Sequence, residues 1–234
     1  MLLSVIIPIY NEEKNIKSSL LTLYNYLSSS FKTFEIIAVN DGSTDNTLKI
    51  LKTIDFIRLV SYEKNKGKGY AVKRGILLAK GEFLFFTDAD LSYSPENIIR
   101  GIYLLNSDKS EYVVGIRKNK KETYPLVRRI LSKGFSNAVH FFLKLDIQDT
   151  QCGFKGFRRT LAKNIFPCVQ DTGFCFDIEL LSLLKTENIK SSILPVTFTH
   201  KDTSHIRILR DSLNMFFSLL KIKLRSKKFE KYRS

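Results

Sequence analysis

The sequence predicts an α/β fold in which a mostly parallel central sheet is covered by helices on both faces. In residues 1–116, short apolar runs alternate with segments of helical periodicity. The apolar runs are continuous, which is typical of strands that are buried on both faces. With 234 residues, of which 44% are hydrophobic, the chain can form the core of one domain with a modest appendage.

The first half of the chain is predicted to form a series of strand–helix units. Strands are expected at residues 2–9, 34–40, 56–62, 82–88 and 111–116. The apolar stripe of the first helix consists of Ile16, Leu20, Leu23 and Leu27. The later helices have start signals at Thr44 or Asp45, at Lys68, and at Ser94-Pro95-Glu96. Ligands of such sheets bind at the carboxyl ends of the strands, so the loops there are expected to carry the site.

The pattern changes after residue 116. The expected elements are a basic loop at 117–125, a helix at 126–143, a loop entering a strand at 149–159, a helix at 176–185, a strand at 192–198 and a helix at 206–224. The apolar face of the last helix includes Leu213, Phe216, Phe217, Leu220 and Leu224. At about 1.5 Å per residue this face is too short to cross a bilayer. It suits an amphipathic helix in the membrane interface, or one that packs on the domain or on a second subunit.

The net charge of +15 is concentrated in two later segments. Residues 117–163 contain 12 Lys or Arg against 3 Asp or Glu, and residues 201–234 contain 10 against 3. This asymmetry implies an anionic partner, such as a phosphate-rich ligand, an anionic lipid surface or a nucleic acid. The three cysteines form no CxxC pair, the N-terminus lacks a basic leader and no apolar run has the length of a membrane span. These features favour a reduced, cytosol-facing protein.

Acidic residues follow three of the predicted strands. Asp88 and Asp90 come directly after a buried strand, and a divalent cation is the natural partner for two carboxylates in that position. Asp41 follows the second strand, where it could accept from a ribose hydroxyl or a base N–H, or could cap the next helix. Glu12 and Glu13 follow the first strand, where acids also suit a helix N-terminus. Three acidic strand ends on one sheet edge together indicate that the functional site lies at this edge.

A glycine-rich segment, Asn65-Lys66-Gly67-Lys68-Gly69, precedes the third helix. Its backbone N–H groups and its lysines suit a diphosphate. The segment matches neither a P-loop nor a GxGxxG motif.

Five motifs in this order carry a family resemblance. They are SVIIPIYNEE from Ser4, VNDGSTDNT from Val39, NKGKGYAV from Asn65, FTDADLS from Phe86 and DTQCGFKGF from Asp149. Together they resemble family 2 glycosyltransferases, and within these the polyprenyl-phosphate branch of the dolichyl-phosphate glucosyl- and mannosyltransferase type. The resemblance runs from Ser4 to about Arg225. It implies a GT-A fold and inverting transfer from a nucleotide-diphosphate sugar with Mg²⁺ or Mn²⁺.

The resemblance also implies how the chain is divided. Residues 1–200 would form the catalytic domain, with a nucleotide-binding half at 1–116 and an acceptor half at 117–200. Residues 201–234 would form a basic amphipathic helix and tail. The donor-binding residues that it implies are Pro8, Tyr10, Glu12, Asp41, Lys68, Gly69, Asp88 and Ala89. The implied metal ligands are Asp88 and Asp90, and Ser92 stands where some relatives have an amide ligand.

On the acceptor side, members of this branch carry a GxR after the fifth strand and a later Arg-x-x-Ser, which cradle the lipid phosphate. Gly115-Ile116-Arg117 and the segment from Arg129 to Ser132 match these motifs. Arg117, Arg129 and Ser132 are therefore acceptor candidates. Lys201 lies in a C-terminal motif whose two basic positions are altered. The catalytic candidates are Asp90, Asp149, Arg117 and Arg129.

Two enzymatic readings differ in the role of Asp149. A lipid phosphate is already anionic, so transfer of glucose from UDP-glucose to dolichyl or undecaprenyl phosphate needs no base, and Asp149 could orient the arginines. With a hydroxyl acceptor in a polysaccharide or glycoprotein, Asp149 would be the general base.

A basic binding protein without catalysis would leave the acidic strand ends unexplained. The expected protein is peripheral on the cytosolic face of a membrane, binds no nucleic acid and could form a homodimer.

Overall fold

The computed structural model describes residues 2–107, 110–118, 126–147, 149–199 and 217–225, apart from the side chains of residues 2 and 126–133. The strands in this part of the chain are β1 (Leu2–Ile9), β2 (Thr33–Asp41), β3 (Arg58–Tyr62), β4 (Phe83–Phe86), β5 (Tyr112–Arg117), β6 (Lys155–Arg158) and β7 (Ser191–Val196). They form one sheet in the order β3-β2-β1-β4-β6-β5-β7.

The helices cover both faces of this sheet. They are α1 (Ile16–Ser30), α2 (Thr47–Leu51), α3 (Lys68–Leu78), α4 (Glu96–Ser107), α5 (Leu126–Leu143), α6 (Arg159–Ile165), α7 (Phe176–Thr186) and α8 (residues 217–225). A short 3₁₀ turn, Phe166–Cys168, follows α6.

Successive side chains of a strand point to opposite faces, and each face has its own buried cluster. In β1, Ile6 packs on the side of α3 and α7, whereas Val5 and Ile7 pack on the side of α1 and α4. This arrangement confirms the predicted α/β architecture with two helical layers.

The sheet is parallel except at β6. β1 pairs in parallel with both β2 and β4, so the order of the strands reverses around β1. β6 is antiparallel to its neighbours β4 and β5, and β7 is parallel to β5. The carboxyl ends of β1, β2, β4 and β5 therefore meet at one edge, and the loop before β6 lies at that same edge.

Some element boundaries differ from the prediction. α2 begins at Thr47 and its N-cap position is Asn46, although Asp45 Oδ1 accepts the N–H of Thr47 at 2.9 Å, as a capping side chain would. α6 was not predicted. β7 ends at Val196, and its Pro195 is tolerated because β7 is an edge strand.

α8 has two apolar faces. Leu219 and Ile222 are buried and belong to the same cluster as the core residues of α7. Phe217, Leu220 and Leu224 project from the other side and are exposed. Among the described residues, no helix has the length and apolar character that are needed to cross a bilayer.

The ring of Phe85 is packed between two glycines. A Cβ on Gly101 of α4 would lie 2.6 Å from Phe85 Cε1, and one on Gly156 of β6 would lie 2.1 Å from the same atom. Because glycines press on both sides of the ring, it has no room to move aside. The absence of side chains at these positions is what brings α4 close to the sheet.

Two Gly→Ala substitutions in helices test this packing. We expect Gly101→Ala to destabilise the fold by about 1–3 kcal/mol through overpacking. Gly134→Ala in α5 should instead stabilise it by up to about 1 kcal/mol, since no atom lies within 4 Å of the added Cβ and alanine favours the helix. Thermal or urea unfolding measures both changes, and equal effects of the two substitutions would contradict the packing argument.

Candidate functional site

The two carboxylates that follow β4 are held by neighbouring side chains. Asp88 Oδ1 accepts a hydrogen bond from Lys68 Nζ at 2.6 Å. Asp90 accepts from the backbone N–H of Ser92 at 2.9 Å and from its hydroxyl at 2.5 Å. Ser92 is thus a buried support for Asp90, at the position where an amide ligand was considered.

The ammonium of Lys68 lies among several carboxylates. Burial disfavours its charged form, but the nearby charges of Asp88, Asp177 and Asp90 outweigh burial and raise the pKa of Lys68. Lys68 therefore stays protonated and partly balances the acidic edge. Gly69 and the largely buried Ala89 complete this part of the predicted donor side.

Glu12 follows β1 and faces the same group of carboxylates. Burial together with the charges of Asp90, Asp45 and Asp88 raises the pKa of Glu12 to about 7. Its backbone N–H donates to Thr47 Oγ1 at 2.8 Å, which fixes the turn after β1. Burial and the neighbouring carboxylates therefore both favour the neutral form of Glu12.

Asp88 and Asp90 are the candidate ligands for a divalent cation at this edge. No group of three or more His, Cys, Asp or Glu in the described ranges forms a ready-made metal shell. Asp88 and Asp90 nevertheless supply hard carboxylate oxygens at the end of β4, which is the donor chemistry that Mg²⁺ and Mn²⁺ prefer. The residues present therefore fit such an ion.

Asp41 braces the glycine-rich loop. It is buried, and its two oxygens accept the backbone N–H groups of Lys66 at 2.7 Å and Gly67 at 2.9 Å. The helix-capping alternative for Asp41 is wrong, since Asn40 Oδ1 accepts the N–H of Ser43 instead. The N–H groups of Lys66 and Gly67 are thereby directed at the protein rather than at a diphosphate.

Gly67 and Gly69 lie against the segment that precedes α7, and the sequence did not predict this contact. Gly67 has φ of 96°, and a Cβ on it would lie 2.3 Å from the carbonyl oxygen of Thr172. A Cβ on Gly69 would lie 2.5 Å from Phe176 Cβ, at the start of α7. The loop before α7 therefore packs directly on the predicted donor loop.

Arg117 and Asp149 form a two-point ion pair at the carboxyl end of β5. Arg117 Nε and Nη2 donate to the two carboxylate oxygens of Asp149 at 2.7 and 2.6 Å, and the Arg117 backbone N–H also donates to Asp149. Burial opposes the charged form of Arg117, but these bonds and the charge of Asp149 raise its pKa. Its guanidinium lies 5.5 Å from the centroid of the Phe198 ring.

Of the other predicted site residues, some are described by the structure and some are not. Pro8 and the partly exposed Tyr10 lie at the carboxyl end of β1, as predicted. The side chains of Arg129 and Ser132, and the whole of Lys201, lie outside the described residues.

Two acidic residues of α7 hold neighbouring segments of the fold together. Asp177 accepts from Lys155 Nζ at 2.6 Å. Glu179 Oε2 accepts the N–H groups of Gln170 and Asp171, and Glu179 Oε1 pairs with Arg225 of α8 at 3.0 Å.

Sequence reasoning missed three residues that shape the site. Lys155 is completely buried, Gly153 lies against the carboxylate of Asp88, and the hydroxyl of Tyr93 accepts the Gly153 N–H at 3.1 Å. A lysine inside the otherwise apolar run CGFKGF was the available signal for Lys155.

Its sequence family and the proteins of similar fold place the chain among the nucleotide-sugar-dependent glycosyltransferases of the GT-A type. The chain belongs to glycosyl transferase family 2, whose family model matches residues 4–166. This match begins in β1 and includes the acidic edge, Arg117 and Asp149.

Similar proteins agree with this assignment. The chain is 33% identical to the dolichyl-phosphate beta-glucosyltransferase of Dictyostelium discoideum, over 95% of this chain and 74% of that protein. It is 31% identical to the human protein of the same name, over 95% and 75% of the two chains.

Solved structures support the fold. Glucosyl-3-phosphoglycerate synthase from Mycobacterium tuberculosis, in complex with UDP, superposes with a TM-score of 0.70 at 21% identity, over 94% and 79% of the two chains. Mannosyl-3-phosphoglycerate synthase from Rubrobacter xylanophilus gives a TM-score of 0.72 at 17% identity, over 99% and 75%.

The raised pKa of Glu12 predicts how stability depends on pH without added metal. Between pH 4.5 and about 7 the folded protein keeps a proton on Glu12 that the unfolded chain has released. Glu12 therefore favours folding less and less as the pH rises through this range. Melting temperatures in EDTA should show wild type losing stability relative to Glu12→Gln from pH 5 to pH 8. Glu63→Gln, at an exposed carboxylate, is the control, and a constant difference between wild type and Glu12→Gln would refute the prediction.

Proposed function

We propose that this protein is an inverting hexosyltransferase that moves glucose from UDP-glucose to a polyprenyl phosphate such as dolichyl phosphate. An oxygen of the lipid phosphate bonds to the anomeric carbon as the bond between that carbon and UDP breaks, giving one glycolipid and one UDP. Relatives named dolichyl-phosphate beta-glucosyltransferase, which align with 95% of the chain, support this proposal.

The observation that carries the proposal is the two-point ion pair between Arg117 and Asp149. A general base for a hydroxyl acceptor must be able to take up a proton. The carboxylate of Asp149 is only 3% exposed, and the guanidinium bound to both of its oxygens favours the ionised form. A phosphate acceptor is anionic at neutral pH and needs no base. The ion pair therefore favours the phosphate acceptor over the hydroxyl alternative.

In this proposal Asp149 orients Arg117 toward the acceptor. A guanidinium has five N–H donors, and the bonds from Nε and Nη2 to Asp149 use two of them. The planar group suits a phosphate, because it offers parallel donors as well as charge. We assign Arg129, Ser132 and Lys201 to the same acceptor site on the strength of the motifs alone.

On the donor side we assign Mg²⁺ or Mn²⁺ to Asp88 and Asp90. When bound, such an ion neutralises charge on the departing diphosphate. Lys68, which already lies at Asp88, adds a second positive charge there. A structure of the mycobacterial synthase contains Mn²⁺ and UDP, which supports this assignment. The nucleotide-binding residues in the proposal are Pro8, Tyr10, Glu12, Asp41, Gly69 and Ala89.

The exposed face of α8 is proposed to lie in the membrane interface, where a lipid acceptor resides. This face carries Phe217, Leu220 and Leu224 with Lys221 beside them, opposite the buried Leu219 and Ile222. Residues 201–234 have a net charge of +7, which would attract an anionic leaflet. We place the protein on the cytosolic side, with residues 1–200 as the catalytic domain.

A transfer assay tests the reaction. Wild type with Mn²⁺ should convert UDP-glucose and a short polyprenyl phosphate in detergent to a glycolipid, and GDP-mannose should be a much poorer donor. Asp90→Ala should reduce the rate by about 10²-fold or more, because the metal loses a ligand.

Asp55→Ala, at an exposed carboxylate on the chain before β3, is the control and should leave the rate unchanged. Metal-dependent hydrolysis of UDP-glucose without any lipid product would contradict the phosphate acceptor and favour a hydroxyl acceptor.

Vesicle binding tests the face of α8. Phe217→Ser/Leu224→Ser should weaken partitioning onto vesicles that contain anionic lipid by about 10-fold or more, since two apolar side chains no longer enter the interface. Leu21→Ser/Tyr103→Ser is matched for exposure, at 48% and 69% against 61% and 67%, and should bind like wild type. Unchanged binding by the first variant, or a dimer that only this variant loses, would overturn the membrane assignment.

A further inference from the structure

We propose that Lys155 is a positioning residue that fixes the acceptor side of the site in place relative to the donor side. This inference rests on the function proposed above, in which Arg117 meets the acceptor phosphate and Asp88 holds the metal. Lys155 lies at the start of β6, opposite Phe86 of β4 and Val114 of β5. It therefore stands between the strands that lead to Asp88 and to Arg117.

All three donors of the Lys155 ammonium are used. Nζ donates to Asp177 Oδ1 at 2.6 Å, to the Cys152 carbonyl at 2.7 Å and to the Thr150 carbonyl at 3.0 Å. The side chain is 0% exposed. A buried ammonium is costly unless it is paired and fully hydrogen-bonded, so each of these contacts is needed.

The two carbonyls belong to the loop that joins the acceptor arginine to the metal carboxylate. At one end of the loop, Asp149 binds the guanidinium of Arg117. At the other end, Gly153 packs so closely on Asp88 that a Cβ there would lie 2.1 Å from Asp88 Oδ2. By fixing the two carbonyls between these ends, Lys155 sets the position of Asp149 relative to Asp88.

The third contact of Lys155 is with α7, and the segment before α7 packs on the donor loop. Asp177 lies in the first turn of α7, and the preceding segment packs on Gly67 and Gly69. The backbone N–H of Tyr70 donates to the Thr172 carbonyl at 3.2 Å in the same contact. The charge of Asp177 also acts on Lys68, which pairs with Asp88. A single ammonium thus links the acceptor loop, the start of α7 and the donor loop.

The alternative is that Lys155 only stabilises the fold, and paired variants separate the two roles. Lys155→Met removes the ammonium and leaves Asp177 buried without it. Lys155→Met/Asp177→Leu replaces both partners by apolar side chains, which often restores the stability lost when one partner is removed. Neither variant can hold the carbonyls of Thr150 and Cys152.

Lys163→Met is the matched control. Lys163 Nζ also donates to a backbone carbonyl, that of Leu77 at 2.6 Å, but at the end of α3 far from the acidic edge. This variant should lower the melting temperature and leave kcat unchanged.

The experiment measures kcat, the KM for UDP-glucose and the melting temperature of each variant, with Mn²⁺ and polyprenyl phosphate saturating. A positioning role predicts that the double variant regains melting temperature over Lys155→Met while kcat stays about 10²-fold below wild type. It also predicts that the KM for UDP-glucose changes much less than kcat. Recovery of kcat along with the melting temperature would overturn the inference. Absence of glucolipid with wild type would instead overturn the proposed function on which it rests.

Discussion

The insertion of β6 between β4 and β5, antiparallel to both, is the constraint on which the site depends. Because β6 runs against its neighbours, its entry loop lies at the edge where those strands end. Asp149 can therefore reach Arg117 at the end of β5, and Gly153 can lie against Asp88 after β4. A parallel strand in this place would put the loop at the opposite edge, and none of these contacts would form.

The electrostatics of the site follow from this geometry. Carboxylates after β1 and β4 meet at one edge, and burial together with their mutual repulsion raises the pKa of Glu12 to about 7. Three cationic side chains lie near these carboxylates and differ in burial. Lys68 is partly exposed and can contact a ligand, Arg117 is bound by Asp149, and Lys155 is completely buried. The more deeply a cation is buried, the more completely its donors are used by the protein, as the cost of desolvation requires.

α8 shows why an apolar helix face in sequence does not identify its partner. The sequence offered a membrane and a protein surface as alternatives, and in the described part of the helix one apolar face is buried while another is exposed. Leu219 and Ile222 join the core, and Arg225 pairs with Glu179, which orients the helix on the domain. Phe217, Leu220 and Leu224 are left on the outer side as a consequence.

The sequence by itself determined which segments form the strands and most of the helices, the acidic residues after β1, β2 and β4, and the family. These features depend on residues that are near in the chain, through the periodicity of apolar side chains and the chemistry of turns. Only the tertiary structure decided the direction of β6, the pairing of Asp149 with Arg117 across 32 positions and that of Lys155 with Asp177 across 22. It also decided that Asp41 holds the loop of Lys66 and Gly67. Such contacts depend on how distant segments pack, and no local pattern encodes that packing.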